Sequence, residues 1–185
     1  MLKIILLGNS GGEKSKLLNK FIGNSSSKLY PVNGIDFKDK SIIMEDGNKV
    51  FIKFFNIVGL ERFHSIACNY LGKSDAAAIF YDVNNRESFE DIEFFYNESL
   101  KYDIPIILVA CKCDLEGERK ISKEEGEEYA NKRNISYIET SSKDNINAKE
   151  SIKKIVDDAY EYVISKIKLK KIKSRLNKLN KYLNF

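Results

Sequence analysis

Gly8, Lys14 and Ser15 are spaced as chemistry on a phosphate would need them, within Gly8-Asn9-Ser10-Gly11-Gly12-Glu13-Lys14-Ser15. In a loop of the form G-x-x-x-x-G-K-[ST], backbone N–H groups and the start of a helix converge on an anion. A Lys then adds a point charge, and a Ser hydroxyl can hold Mg²⁺. The residues placed to touch such a ligand are Ser10, Gly11, Gly12, Glu13, Lys14, Ser15 and Lys16. Glu13 stands where the pattern has its second glycine. An ordinary glycine-rich turn between a strand and a helix would share most of these features.

The flanking segments supply the frame. Leu2 to Leu7 reads as a buried strand, and Lys16 to Ile22 as the start of an amphipathic helix. Further strands are expected over Ile35 to Met44, Val50 to Ile57, Ala76 to Tyr81, Ile106 to Ala110 and Ser136 to Glu139. Glu45-Asp46-Gly47-Asn48 joins two of them as a hairpin, with Asp-Gly expected to supply positive φ angles. Helices are expected from Ser65 to Leu71, from Arg86 to Leu100, from about Ser122 (capping, with Glu125 three residues on) and from near Asn147. Strands alternating with helices, two of the strands almost wholly apolar, indicate a sheet covered on both faces.

The 185 residues, 43% of them hydrophobic, suit one domain with a sizeable core. No run is long enough to span a bilayer and no signal peptide is expected, since the first strand starts at the first residues. Cys68, Cys111 and Cys113 form a sparse, odd set, which points to free thiols in a reducing, cytoplasmic setting. His64 is the only histidine, so Cys111 and Cys113 lack the further ligands of a metal site. Eight of the 31 Lys and Arg fall from Lys166 onward, where there is no acid, leaving 23 bases against 27 acids before it. A mildly acidic body with a basic tail does not suit a nucleic-acid-binding domain.

Behind the phosphate loop come Gly34-Ile35-Asp36-Phe37, Gly59-Leu60-Glu61-Arg62-Phe63, Tyr81-Asp82-Val83, Lys112-Cys113-Asp114-Leu115 and Glu139-Thr140-Ser141-Ser142-Lys143. With these stretches in this order, residues 1 to 160 resemble the small GTPases of the Ras superfamily, most closely the Rab branch. The resemblance implies a Ras-like P-loop α/β fold. Its six-stranded sheet would be mostly parallel, with one antiparallel edge strand and helices on both faces. The domain would span 1–165, with a basic amphipathic tail over 166–185. It also implies GTP or GDP as ligand. Asp114 would accept two hydrogen bonds from guanine, the stem of Lys112 would lie along the base, and Ser141, Ser142 and Lys143 would cover its far side, with a backbone N–H directed at O6. Gly59 would also be among the nucleotide-binding residues.

The chain departs from that family where hydrolysis is supported. Val32 replaces a Thr that closes over Mg²⁺, and Asn56 replaces an Asp of the outer magnesium shell. Ser15 is left as the Mg²⁺ ligand. Leu60 stands at the position of the Gln that orients the attacking water, and Cys111 at that of an Asn beside Lys112. Phosphoryl transfer rests on positioning and electrostatics, so hydrolysis is expected to be impaired or absent. A Glu13 carboxylate about 6 Å from a phosphate charge, at an effective dielectric near 20, would cost about 3 kcal/mol. Glu13 could also turn outward, or pair with Lys14.

Phe37, Phe55 and Tyr70 fall where Rab proteins keep an aromatic cluster on the effector surface. The chain has no cysteine beyond Cys113, so no prenyl anchor is expected at its end. Ile172, Leu176, Leu179 and Leu183 instead form an apolar stripe on a basic helix, suited to an anionic membrane surface or a partner helix. Two readings stay open: a Rab-like guanine-nucleotide-binding protein of vesicle traffic, peripheral at endomembranes, or a pseudo-GTPase scaffold that binds little nucleotide and only presents a protein surface.

Overall fold

Side chains alternate across a strand, so an apolar run such as Leu2–Leu7 must be covered on both sides. In the computed structural model, which describes residues 1–9, 11, 13–23, 34–57 and 64–183, that strand (β1) lies inside a six-stranded sheet. The order is β2-β3-β1-β4-β5-β6, with β2 Ile35–Ile43, β3 Lys49–Ile57, β4 Ala76–Asp82, β5 Ile106–Cys111 and β6 Ser136–Thr140. Only the β2–β3 pair is antiparallel. It is closed by a turn in which Gly47 alone takes positive φ, so Asp46 does not adopt the angle expected of it.

Ile4 and Leu6 of β1, with Ala78, Phe80 and Val109, pack on one face beneath α1 (Lys14–Ile22) and α6 (Glu150–Leu183). Ile5 and Leu7, with Ile79, Tyr81 and Leu108, face the other side. There they meet α2 (His64–Leu71), α4 (Ile92–Leu100) and α5 (Lys123–Arg133). Each fully buried aliphatic side chain contributes about 1.5–3 kcal/mol.

The helix expected over Arg86 to Leu100 is two: α3, Arg86–Glu90, and α4, which begins after Asp91. Ser122 caps α5 by accepting from the Glu125 N–H at 3.1 Å. The last helix starts at Glu150, because Asn145 and Asn147 both hold positive φ just before it. From there it runs unbroken through Leu183.

Register gathers the chemistry at one end. Asn56 pairs with Leu6, Asp82 with Cys111, and Cys111 with Thr140, all at the carboxyl ends of parallel strands. That edge is where open α/β sheets bind ligands.

Candidate functional site

The loop after β1 leaves the sheet at Gly8, whose φ is 118°. Lys14, in the first turn of α1, is buried, and its Nζ donates to the carbonyls of Gly8 at 2.5 Å and Asn9 at 2.7 Å. The loop thus wraps its own lysine, and burial lowers the Lys14 pKa to about 8. Asn9 in turn donates to Asp91, which ties the loop to the start of α4.

Beside Lys14, Ser15 Oγ accepts from Asn56 Nδ2 at 2.8 Å. Asn56 is buried, and its Oδ1 has no hydrogen-bond partner among the described residues. An orphaned acceptor next to a hydroxyl fits a hydrated Mg²⁺. Ser15 Oγ would be the metal ligand, and Asn56 Oδ1 would accept from a metal-bound water.

Glu13 neither turns outward nor pairs with Lys14. Its backbone is left-handed (φ 54°, ψ 3°) and its side chain is 7% exposed. The carboxylate accepts from the Ser142 backbone N–H at 3.1 Å and from the Ser142 hydroxyl, while Lys16 Nζ lies 3.9 Å away. Lys16 itself projects into solvent. The first loop of the sheet is thereby joined to the loop after β6. That loop is built on itself: Ser141 N–H donates to the Ile146 carbonyl at 3.0 Å, and Ser141 Oγ accepts from the Asp144 N–H at 3.0 Å.

Between these two loops lies the third. Lys112 has positive φ, and its Nζ is 2.5 Å from Asp82 Oδ2, a contact that raises the lysine's pKa. The Asp114 side chain is 5% exposed, with Lys143 Nζ 4.0 Å from its Oδ2. Cys111 is fully buried and receives the Thr140 hydroxyl at 3.6 Å, and burial drives its pKa up to about 12. The loop after β1, the Lys-x-Asp loop and the Ser-Ser-Lys loop therefore lie together at one end of the sheet, joined by the Glu13–Ser142 and Lys143–Asp114 contacts.

A family model described as the Ras family matches residues 3–161. The chain is 33% identical to Ras-related protein Rab-39A of Homo sapiens over 170 residues, covering 87% of this chain and 78% of that protein. It is 32% identical to Ras-related protein Rab-11C of Dictyostelium discoideum over 170 residues (90% and 75%) and to Ras-related protein Rab-3A of Homo sapiens over 161 residues (85% and 73%).

The chain belongs to the Ras family.

The three aromatic residues singled out in the sequence meet at the sheet edge. Phe37 of β2, Phe55 of β3 and Tyr70 of α2 touch one another, with ring centroids 5.8 Å apart for Phe37–Phe55, 6.0 Å for Phe37–Tyr70 and 5.0 Å for Phe55–Tyr70. Phe55 is buried, whereas Phe37 is 47% exposed. The three rings expected to cluster do so, and one is presented to solvent.

Of the residues expected at the site, Glu13, Lys14, Ser15, Asn56, Lys112, Asp114, Ser142 and Lys143 are brought to the same end of the sheet, linked by the Ser15–Asn56, Glu13–Ser142 and Lys143–Asp114 contacts. Gly11 and Ser141 lie in the same loops, and Lys16 is directed to solvent. Ser10, Gly12, Val32, Gly59 and Leu60 lie outside the described residues. The sequence reading did not assign Asp82 to Lys112, nor Ser142 to Glu13. Asp82 ends an apolar strand one residue before the chain turns, which marked it for a polar partner. Nothing local marks Glu13 for Ser142, since 129 residues separate them.

No helix among the described residues is long and apolar enough to cross a membrane. Ile167, Leu169, Ile172 and Leu176 are exposed along α6, while the side chains of Leu179 and Leu183 lie outside the described set.

Proposed function

We propose that this chain is a Rab-like guanine-nucleotide-binding module of membrane traffic in which GTP hydrolysis is impaired. The observation that carries this is the neutral Asn56 amide on Ser15 at 2.8 Å. A charged carboxylate there would hold the magnesium shell, whereas an amide offers one weak acceptor. Hydrolysis depends on that electrostatic support and on a positioned water, and Leu60 has no group to orient one.

Lys14, Ser15, Asp114 and the 141–143 loop remain in place to bind GDP or GTP, with Mg²⁺ held weakly. The exposed Phe37 edge of the aromatic triad would meet protein effectors. The basic, apolar-striped end of α6 would meet an anionic membrane surface. A second reading, a scaffold with little nucleotide, is favoured by the Glu13 carboxylate lying on Ser142.

Two measurements separate these readings. Chromatography of the denatured, freshly purified protein identifies any released nucleotide. Guanine nucleotide supports the first reading, and its absence together with no GDP binding in titration supports the second. Single-turnover assays with GTP should give negligible hydrolysis, and a rate like that of an ordinary small GTPase would overturn the proposal of impairment.

A further inference from the structure

Glu13 occupies an unusual position for a buried carboxylate. It caps the first helix from a left-handed backbone, yet its two oxygens are spent on one residue of the last βα loop, Ser142. β1 and β6 are separated in the sheet by β4 and β5, so this contact reaches over the ends of two strands. Its negative charge adds to the raised pKa of Cys111 and Lys112, after burial for the first and the Asp82 contact for the second. The carboxylate therefore sits where the three loops meet. Among the described residues it neutralises no buried cation directly, since Lys16 is 3.9 Å away and extends into solvent.

Buried donors in a ligand site are either satisfied by the ligand or by something that stands in for it. Ser142 offers two donors, its N–H and its hydroxyl, on the wall facing the phosphate loop. We propose that Glu13 is an internal occupant of the base subsite, holding the Ser142 donor pair that the carbonyl edge of a purine must take over. This rests on the nucleotide-binding reading above and deepens it: Glu13 sets affinity from the side of the base, not by repelling phosphate. The carboxylate accepts both hydrogens in the free protein. A 6-oxopurine can enter only as the Glu13 side chain swings out and exchanges those bonds for water. A purine without that oxygen displaces Glu13 at the same cost and regains no bond from Ser142.

The account differs from simple charge repulsion in what each substitution does. Glu13→Gly removes the occupant, and glycine accepts the positive φ without strain. Glu13→Gln removes the charge but keeps an amide oxygen able to accept from Ser142. Calorimetric titration of the full chain and both variants should use GDP, the diphosphate of 2-aminopurine riboside (which lacks O6), and pyrophosphate. Displacing two charge-assisted bonds implies that Glu13→Gly tightens GDP on the order of a hundredfold. Glu13→Gln should improve GDP by less than about tenfold, since half of the occupancy persists. The 2-aminopurine ligand, which must displace the same occupant, should gain about as much as GDP from Glu13→Gly while binding more weakly than GDP in all three proteins, and pyrophosphate should hardly respond.

The contact is also read without nucleotide: the Ser142 amide resonance should shift, and its hydrogen exchange quicken, in Glu13→Gly. Equal gains by Gln and Gly, or a pyrophosphate gain matching that of GDP, would overturn the inference in favour of charge repulsion. GDP binding of equal strength in all three proteins would leave the nucleotide-binding reading standing and remove Glu13 from it. Absence of GDP binding in all three, with an unresponsive Ser142 amide, would overturn both.

Discussion

A Cβ on Gly8 would stand 2.1 Å from the carbonyl oxygen of Phe80. The phosphate loop therefore leaves β1 in contact with the backbone of β4, and with φ 118°, a conformation that only glycine adopts at little cost. Side-chain adjustment cannot relieve a clash with main chain in a central strand. Gly8→Ala should cost about 3 kcal/mol of stability or more, combining backbone strain with overpacking. Urea unfolding would show it as a lower midpoint at constant slope. An unchanged midpoint would mean that β4 yields at Phe80.

The sequence made the sheet readable because apolar runs, turn residues and alternation all agree there. Ala76 to Tyr81 and Ile106 to Ala110 could only be central strands. Arg86 to Leu100 misled, since its helical composition continues across Asp91, where α3 ends and α4 begins although Asp91 itself keeps right-handed dihedrals (φ −66°, ψ −16°). Within the site, Lys14 and Ser15 were legible from the spacing of the phosphate-loop pattern, whereas Asn56, Lys112, Asp114 and Ser141 were legible only through the resemblance to the small GTPases. The direction of the Glu13 side chain was not. Its partner is fixed by how β6 is placed beside β5, which is a property of the whole sheet. A local reading offered solvent or Lys14 and had no means of offering Ser142.

Lys14 should make anion binding depend on pH. Burial lowers its pKa to about 8, whereas an exposed lysine would stay charged well above that. The ammonium form attracts phosphate, so affinity falls as the pH rises through that value and the proton is lost. Between about pH 7 and about pH 9 the protonated fraction drops roughly tenfold, and so should pyrophosphate affinity. Lys14→Arg, which keeps its proton over this range, serves as the control and should lack that decline. A parent protein showing the same pH profile as the arginine variant would mean that the hydrogen bonds to Gly8 and Asn9 hold the proton in place.

The aromatic triad separates stability from recognition. Phe55 is buried between Phe37 and Tyr70, so Phe55→Ala should destabilise by about 3–5 kcal/mol. Phe37 is 47% exposed at the rim. Its loss should cost about 1 kcal/mol, near the centre of the range for substitutions in general. If the triad is a docking surface, Phe37→Ala should nonetheless abolish capture of effector proteins that the parent retains. Thermal unfolding and pull-down of the two variants give the comparison. Full retention of partners by a folded Phe37→Ala protein would remove the triad from recognition.

The last prediction concerns the end of α6. The helix continues from the core, where Ile152, Ile155, Val156 and Ala159 are buried, into a stretch where Ile167, Leu169, Ile172 and Leu176 are exposed. Eight Lys and Arg accompany that stretch without a single acid. Each basic residue near an anionic leaflet contributes about 1 kcal/mol, and salt screens the attraction within a Debye length of about 10 Å at 0.1 M. The full chain should therefore bind vesicles containing phosphatidylserine, release them as salt rises, and ignore neutral vesicles. Removing residues 166–185 should abolish binding while leaving the melting temperature nearly unchanged, because the apolar residues described there contribute little to the core. A partner helix would give a different result: no vesicle binding by either protein, and salt-sensitive capture of an acidic helical partner by the full chain alone. Equal vesicle binding with and without the tail would place the membrane contact on the body of the domain, against its net negative charge, and this account of α6 would fail.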